Sequence, residues 1–181
     1  PDILTLLEIG HFSFAITPCP FLPLHRPEIW YTDCLTLPFN CHSRRRRAVI
    51  THVLERLAVG AATDSRRAPE KFTAILNVAE EIDLDAAGKT CHKIPLKDLV
   101  PISPEAMSEA ILWIKDHIRH QGVLVVCKAG IGRSPSIVIG YLCSIGFGYD
   151  EAVRFVGSKR GDISPVPNLA FSIEDCIGFY L

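Results

Sequence analysis

Residues 123–142 read VLVVCKAGIGRSPSIVIGYL: an apolar run closing on Cys127, a short loop holding Gly130 and Gly132, then Arg133 and a second apolar stretch. Val123 to Val126 has the length and β-branching of a buried strand. Pro135 to about Leu142 is apolar nearly all round, as a buried central helix is, with its start expected at Ser134 or Pro135. Lys128, Ala129, Gly130, Ile131 and Gly132 must curl between the two. Glycine permits positive φ and close approach of backbone to a ligand. A loop whose N–H groups point inward above a helix N-terminus is a cradle for an anion such as phosphate.

That placement gives the flanking residues a chemistry. The field that holds phosphate also stabilises a thiolate, so Cys127 is expected to have a depressed pKa and to be nucleophilic near neutral pH. The planar fork of Arg133 can hold two phosphate oxygens and support charge that builds at phosphorus. The Ser134 hydroxyl can donate to the sulfur and make it a better leaving group. The plainer alternative is a structural cysteine near a surface arginine. C-x5-R alone does not exclude it, but C-x-x-G-x-G-R-S between an apolar strand and an apolar helix argues strongly for the cradle.

A thiolate attacking a phosphate monoester needs an acid to protonate the leaving oxygen. The stretch HKIPLKDLVPIS (92–103) offers Asp98, after an expected short strand Lys93–Leu96 and before a helix. Parallel strands would bring it to the same edge of the sheet as Cys127. From position alone Asp98 could equally be a solvated loop carboxylate. Asp116 is a weaker rival, expected on a solvent-facing side of the helix.

The rest of the chain supplies the frame. Val49 to Val59 suggests one or two short strands, and Phe72 to Val78 another buried one. Ser103 is a candidate N-cap with Pro104 at N1, and Met107, Ala110, Ile111, Ile114 and Ile118 at helical spacing would lay one face on the sheet. Gly146 and Gly148 should stop the central helix. Asp150 is expected to cap another through about Lys159, and residues 167–180 to form the last. Strands alternating with helices predict an α/β fold: a central, mostly parallel sheet flanked by helices.

Composition bounds the partners. The chain has 181 residues, 48% hydrophobic and 22% charged, with a formal net charge of −1, which argues against a general nucleic-acid binder. Its seven cysteines have no framework spacing and read as reduced thiols in a cytoplasmic setting, mostly buried. Cys41-His42 and Cys91-His92 lack further ligands at zinc spacing. Residues 1–47 differ in texture, carrying Pro1, Pro18, Pro20, Pro23, Pro27 and Pro38 and ending in Arg44–Arg47. They read as a proline-rich extension before a domain over 48–181, the arginines as a solvated linker or, less simply, an anionic-surface patch. The chain begins at Pro1 without methionine and reads as a fragment, whose missing N-terminal part could carry a membrane segment. Oligomeric state is left open. His92, His117 and His120 read as surface or helix-face residues, and Trp30 and Trp113 as packing groups.

The phrases RLAVGAATDS, ILNVAEE, IPLKD, VLVVCKAGIGRSPSIVIGYL and ISPVPNL, spread from about Arg56 to Leu169, resemble the cysteine-dependent phosphatases with the H-C-x5-R-[ST] signature, most closely the dual-specificity branch. The resemblance implies that Cys127 is the nucleophile, Arg133 the phosphate binder, Asp98 the general acid and Ser134 the thiolate-stabilising hydroxyl. It implies hydrolysis through a cysteinyl-phosphate with no metal or other cofactor, on phosphotyrosine, phosphoserine or phosphothreonine proteins in a shallow pocket. CKAGIGRS with Lys128 is also similar to relatives acting on phosphoinositides and phosphatidylglycerophosphate, and ILNVAEE resembles a phrase of the latter group, which keeps a lipid phosphate as the alternative. Some relatives protect the nucleophile with a disulfide, for which Cys91 or Cys143 would serve, although each reads better as a buried thiol. One departure stands out. The family's histidine before the nucleophile is Val126 here, which should leave Cys127 less acidic and gives some weight to a phosphate-binding pseudophosphatase.

Overall fold

A computed structural model describes residues 50–85 and 88–181. The proline-rich extension, the Arg44–Arg47 run, Trp30, and Cys19, Cys34 and Cys41 lie outside the described residues.

β1 (Thr51–Leu54) and β2 (Leu57–Ala61) form an antiparallel pair, the two short strands expected after Val49. β3 (Phe72–Asn77), β4 (Thr90–Lys93) and β5 (Gly122–Cys127) run parallel to β2, in the spatial order β1-β2-β5-β3-β4. β5 is therefore central and buried along its whole length. A strand covered on both faces needs apolar residues at every position, which is why 122–126 shows no alternation.

The pleat still sorts its side chains into two layers. Val123, Val125 and Cys127 join Leu57, Val59, Ala74 and Leu76 in the main core. Leu124 and Val126 join Ala58, Phe72 and Ile75 in a smaller apolar layer on the other face. Buried apolar residues of all four α-helices belong to the main core: Met107, Ile111 and Ile114 of α1 (Pro104–His117), Ile137 and Leu142 of α2 (Arg133–Ser144), Ala152 and Val156 of α3 (Tyr149–Lys159), and Leu169, Ile173 and Cys176 of α4 (Leu169–Tyr180). α2 lies over β5, and α1 packs on α2 and α4 as well as on β3 and β5. No helix among the described residues is long and apolar enough to cross a membrane.

Several boundaries differ from expectation for local reasons. Ser103 does cap α1, its Oγ accepting the Ala106 N–H at 3.3 Å. α3 is entered from Gly148 instead of Asp150, which sits inside the first turn where its charge faces the helix N-terminus. α2 begins at Arg133, earlier than expected, because the Gly132 carbonyl already accepts the Ser136 N–H at 3.0 Å. The strand expected at Lys93–Leu96 is instead Thr90–Lys93. Pro95 has no N–H for a ladder, and beyond Lys93 the chain is held by Ile94 N–H donating to the Asn77 carbonyl (2.9 Å) and Glu80 N–H to the Leu96 carbonyl (3.2 Å).

Cys91 is exposed, against expectation, because β4 is the edge strand of the sheet. It sits two strands from β5, about 10 Å, beyond the Cα separation a disulfide with Cys127 allows. Cys143, half-buried, lies at the far end of α2 from Cys127, so no bridge forms there either.

Candidate active site

β5 delivers Cys127 to the carboxyl edge of the sheet, where parallel α/β sheets place their ligand sites. In the loop 128–132 that follows, three carbonyls are engaged by groups other than the sulfur. Ala129 O accepts from Arg160 Nη2 at 3.3 Å, Ile131 O from the Ser164 N–H at 2.9 Å, and Gly132 O from the N–H and hydroxyl of Ser136 at 3.0 and 2.9 Å. The amides of Ala129, Gly130 and Ser134 turn toward the sulfur of Cys127. Gly130 adopts φ +73°, and a Cβ there would stand 2.8 Å from the Gly60 backbone, so only glycine fits.

Cys127 Sγ lies inside this ring, 2% exposed. It accepts hydrogen bonds from the Gly130 N–H and the Ser134 hydroxyl, both at 3.3 Å. Burial by itself pushes the thiol pKa up, but the Ser134 hydroxyl and the amides of Ser134, Gly130 and Ala129 outweigh it and hold the pKa below that of an ordinary thiol. The depressed pKa expected from sequence is thus present without a histidine at 126. Val126 packs in the smaller apolar layer, on the face of the sheet away from the sulfur.

Arg133, at the start of α2, is buried and tightly held. Glu81 grips it with two bonds of 2.7 Å, Oε2 from Nη1 and Oε1 from Nη2, and Nη1 also donates to the Leu96 carbonyl at 2.9 Å. A guanidinium carries five N–H donors. Three are spent here, and the pair left over among the described residues lies on the Nε/Nη2 edge, the geometry for two oxygens of one phosphate. The hydrogen bond from Arg133 is the main cause that lowers the Glu81 pKa to about 2.

Asp98 is brought to the same place. Its Oδ1 lies 3.4 Å from Arg133 Nε while the side chain stays 61% exposed, over the loop beside Gly132. Leu99, next in the chain, takes φ +57°, a left-handed conformation that bends the segment at the site. Asp116, the rival acid, points to solvent beside His117. Lys128 and Ala129 are exposed on the rim, and Ile131 and Gly132 half-buried. His92, Trp113 and His117 form a ring stack linking β4 to α1, apart from the loop. Glu81 and Arg160 are the two residues of the site that lie outside the candidates of the sequence. The carboxylate pair that follows the β3 run was the available sign of the first; Arg160 had none.

The family model for the dual specificity phosphatase catalytic domain matches residues 58–176. Human dual specificity protein phosphatase 2 is 37% identical over 98 residues, covering 52% of this chain and 31% of the relative. Human dual specificity protein phosphatase 5 is 38% identical over 100 residues, covering 52% and 26%. The chain thus spans about a third or less of the length of these curated relatives. Among solved structures, DUSP15 is similar with 25% identity and a TM-score of 0.61, over 72% of this chain and 88% of that one. The active form of Tk-PTP, at 21% identity and a TM-score of 0.63 over 72% and 97%, shares the fold. So does PTPMT1 in complex with PI(5)P, at 16% and 0.63 over 71% and 94%. The domain match extends from β2 through most of α4 and encloses the whole cradle: this chain belongs to the dual specificity phosphatase catalytic-domain family, within the cysteine-dependent protein tyrosine phosphatases.

Proposed function

We propose that this domain hydrolyses phosphate monoesters in two steps, with phosphotyrosine, phosphoserine or phosphothreonine in proteins as substrate. The observation that carries the reading is a thiol hydrogen-bonded inside the cradle, next to an arginine whose Nε makes no hydrogen bond among the described residues and faces the Asp98 carboxyl at 3.4 Å. The phosphate oxygens take the Nε/Nη2 edge of Arg133 and the inward amides, displacing the Asp98 carboxylate that rests there in the free protein. The Cys127 thiolate attacks phosphorus as the bond to the leaving oxygen breaks, and protonated Asp98 supplies that oxygen's proton. Asp98, now a carboxylate, takes a proton from water, whose oxygen attacks phosphorus and returns the sulfur as thiolate. Ser134 donates to the sulfur as it leaves. Arg133 and the amides meet the charge on phosphorus, so the steps need no metal.

Exposed Lys128 on the rim favours a second reading, a polyanionic lipid headgroup phosphate. Phosphopeptides compared with phosphoinositide headgroups separate the two, and a lipid preference of about 100-fold, some 2.7 kcal/mol, overturns the first. Val126, the feature that favours a binding-only protein, faces away from the thiol. Assaying an aryl phosphate with the wild type, Cys127→Ser and Asp98→Ala tests catalysis directly. Wild-type turnover no higher than that of Cys127→Ser leaves only phosphate binding.

A further inference from the structure

We propose that Arg160 is a positioning residue that aims one loop amide at the nucleophile through a single peptide unit. Arg160 closes α3, and its side chain, 10% exposed, runs back behind the phosphate loop. Nη1 donates to Thr51 Oγ1 on β1 (3.2 Å), Nη2 donates to the Ala129 carbonyl (3.3 Å), and Nε lies 3.4 Å from Asp162 Oδ1. The decisive relation is in the peptide that joins Ala129 to Gly130. Its carbonyl accepts from Arg160, and its N–H donates to Cys127 Sγ at 3.3 Å.

A trans peptide is planar, with C=O and N–H pointing in opposite directions. Holding the carbonyl outward therefore holds the amide inward. The unit needs such a hold: Gly130 has no Cβ and sits at positive φ, so a rotated peptide costs it little. A cation on the carbonyl also polarises the unit and strengthens the N–H as a donor, as in any chain of hydrogen bonds. The guanidinium contacts the carbonyl side of the loop, so it acts from behind and does not occupy the anion site. The charged groups on the sulfur side are Arg133, with Asp98 and Glu81 on its two edges and Lys128 within electrostatic range of Glu81. Among the described residues, Asp162 is a charge that faces Arg160.

This inference rests on Cys127 being an activated thiolate, and the test separates the two. Alkylation of Cys127 by iodoacetamide is followed by mass spectrometry on the tryptic peptide 120–128, at pH 6 and at pH 10, in the full chain and in Arg160→Met and Arg160→Lys. A wild type that reacts like free cysteine at both pH values defeats the activated-thiolate reading itself. With that reading intact, Arg160→Met is expected to alkylate about 3- to 10-fold more slowly at pH 6 and at the wild-type rate at pH 10, where the thiolate is complete. Arg160→Lys, which keeps a charged donor, should recover part of the difference. Unchanged rates at both pH values, or equal slowing at both, overturn the proposal, since a merely structural role alters access at every pH. Should Arg160→Met lose its cooperative melting transition, Thr51→Val keeps the arginine and frees its anchor on β1. It is then expected to show the same pH-selective slowing, smaller in size, and no pH-selective slowing overturns the proposal.

Discussion

Glu81 and Arg133 meet through two parallel 2.7 Å hydrogen bonds, and that pairing decides which edge of the guanidinium is left for a phosphate. Three of the five donors are already committed, counting the bond to Leu96 O, so the arginine is set before any substrate arrives.

Glu81→Gln should weaken this setting without removing the charge of Arg133. The expected result is a loss of about tenfold in kcat/KM, carried mostly by KM, read from steady-state kinetics on an aryl phosphate. Because the Glu81 pKa is depressed to about 2, the pair is complete above the ordinary carboxylate range and is lost only as pH falls through about 2. An acid limb of the rate profile between pH 4 and 7 therefore belongs to other groups. A Gln variant that abolishes that limb contradicts this.

Asp98→Asn keeps the size of the side chain and removes the proton it can give. The expected loss is about 100-fold in kcat for an alkyl phosphate, whose leaving oxygen needs the acid. A good aryl leaving group should lose much less. Equal losses on both substrates place the proton donor elsewhere.

Ser134→Ala removes the side-chain donor to Cys127 Sγ and leaves the loop amides in place. The sign follows from the direction of the shift. A thiol whose pKa is held low is ionised above that lowered value, so losing a donor moves the acid limb of kcat/KM toward higher pH. Breakdown of the cysteinyl-phosphate should slow by about tenfold, which pre-steady-state bursts measure. An unmoved acid limb with no burst counts against the hydroxyl's role.

Gly130→Ala forces a Cβ to within 2.8 Å of the Gly60 backbone and 2.9 Å of Arg160 Nη2, at φ +73°. The expected cost is about 1–3 kcal/mol of stability together with at least ~100-fold in kcat/KM. Thermal melting and kinetics on the same sample check both. Gly146→Ala, whose position also has positive φ but nothing near its Cβ site, should lower stability with little effect on kcat/KM.

The central strand, the loop and the helix after it were legible because their signals are local: an apolar run, two glycines and an arginine within one turn. Asp98 was legible as a position, and its place beside Arg133 needed the parallel sheet. Glu81 was not, since its pairing with Arg133 depends on two neighbouring strands ending at the same edge. Arg160 was hidden further still, at the end of a helix whose return path over the sheet no short pattern encodes. The local misses have local causes: Pro95 cut a ladder that hydrophobicity alone extended, and α3 is entered from Gly148 in extended conformation, with no side-chain cap where Asp150 was expected to supply one.

Val126 and Cys127 are neighbours in sequence and belong to different layers of the molecule. Position 126 is constrained by volume, among Ala58, Phe72, Ile75 and Leu124, while position 127 is constrained by charge. Substitutions at 126 should then be tolerated in order of how well they fill that space, with isoleucine ahead of alanine and lysine. The two demands are separable, so a change at 126 that keeps the volume leaves the environment of the sulfur as it is.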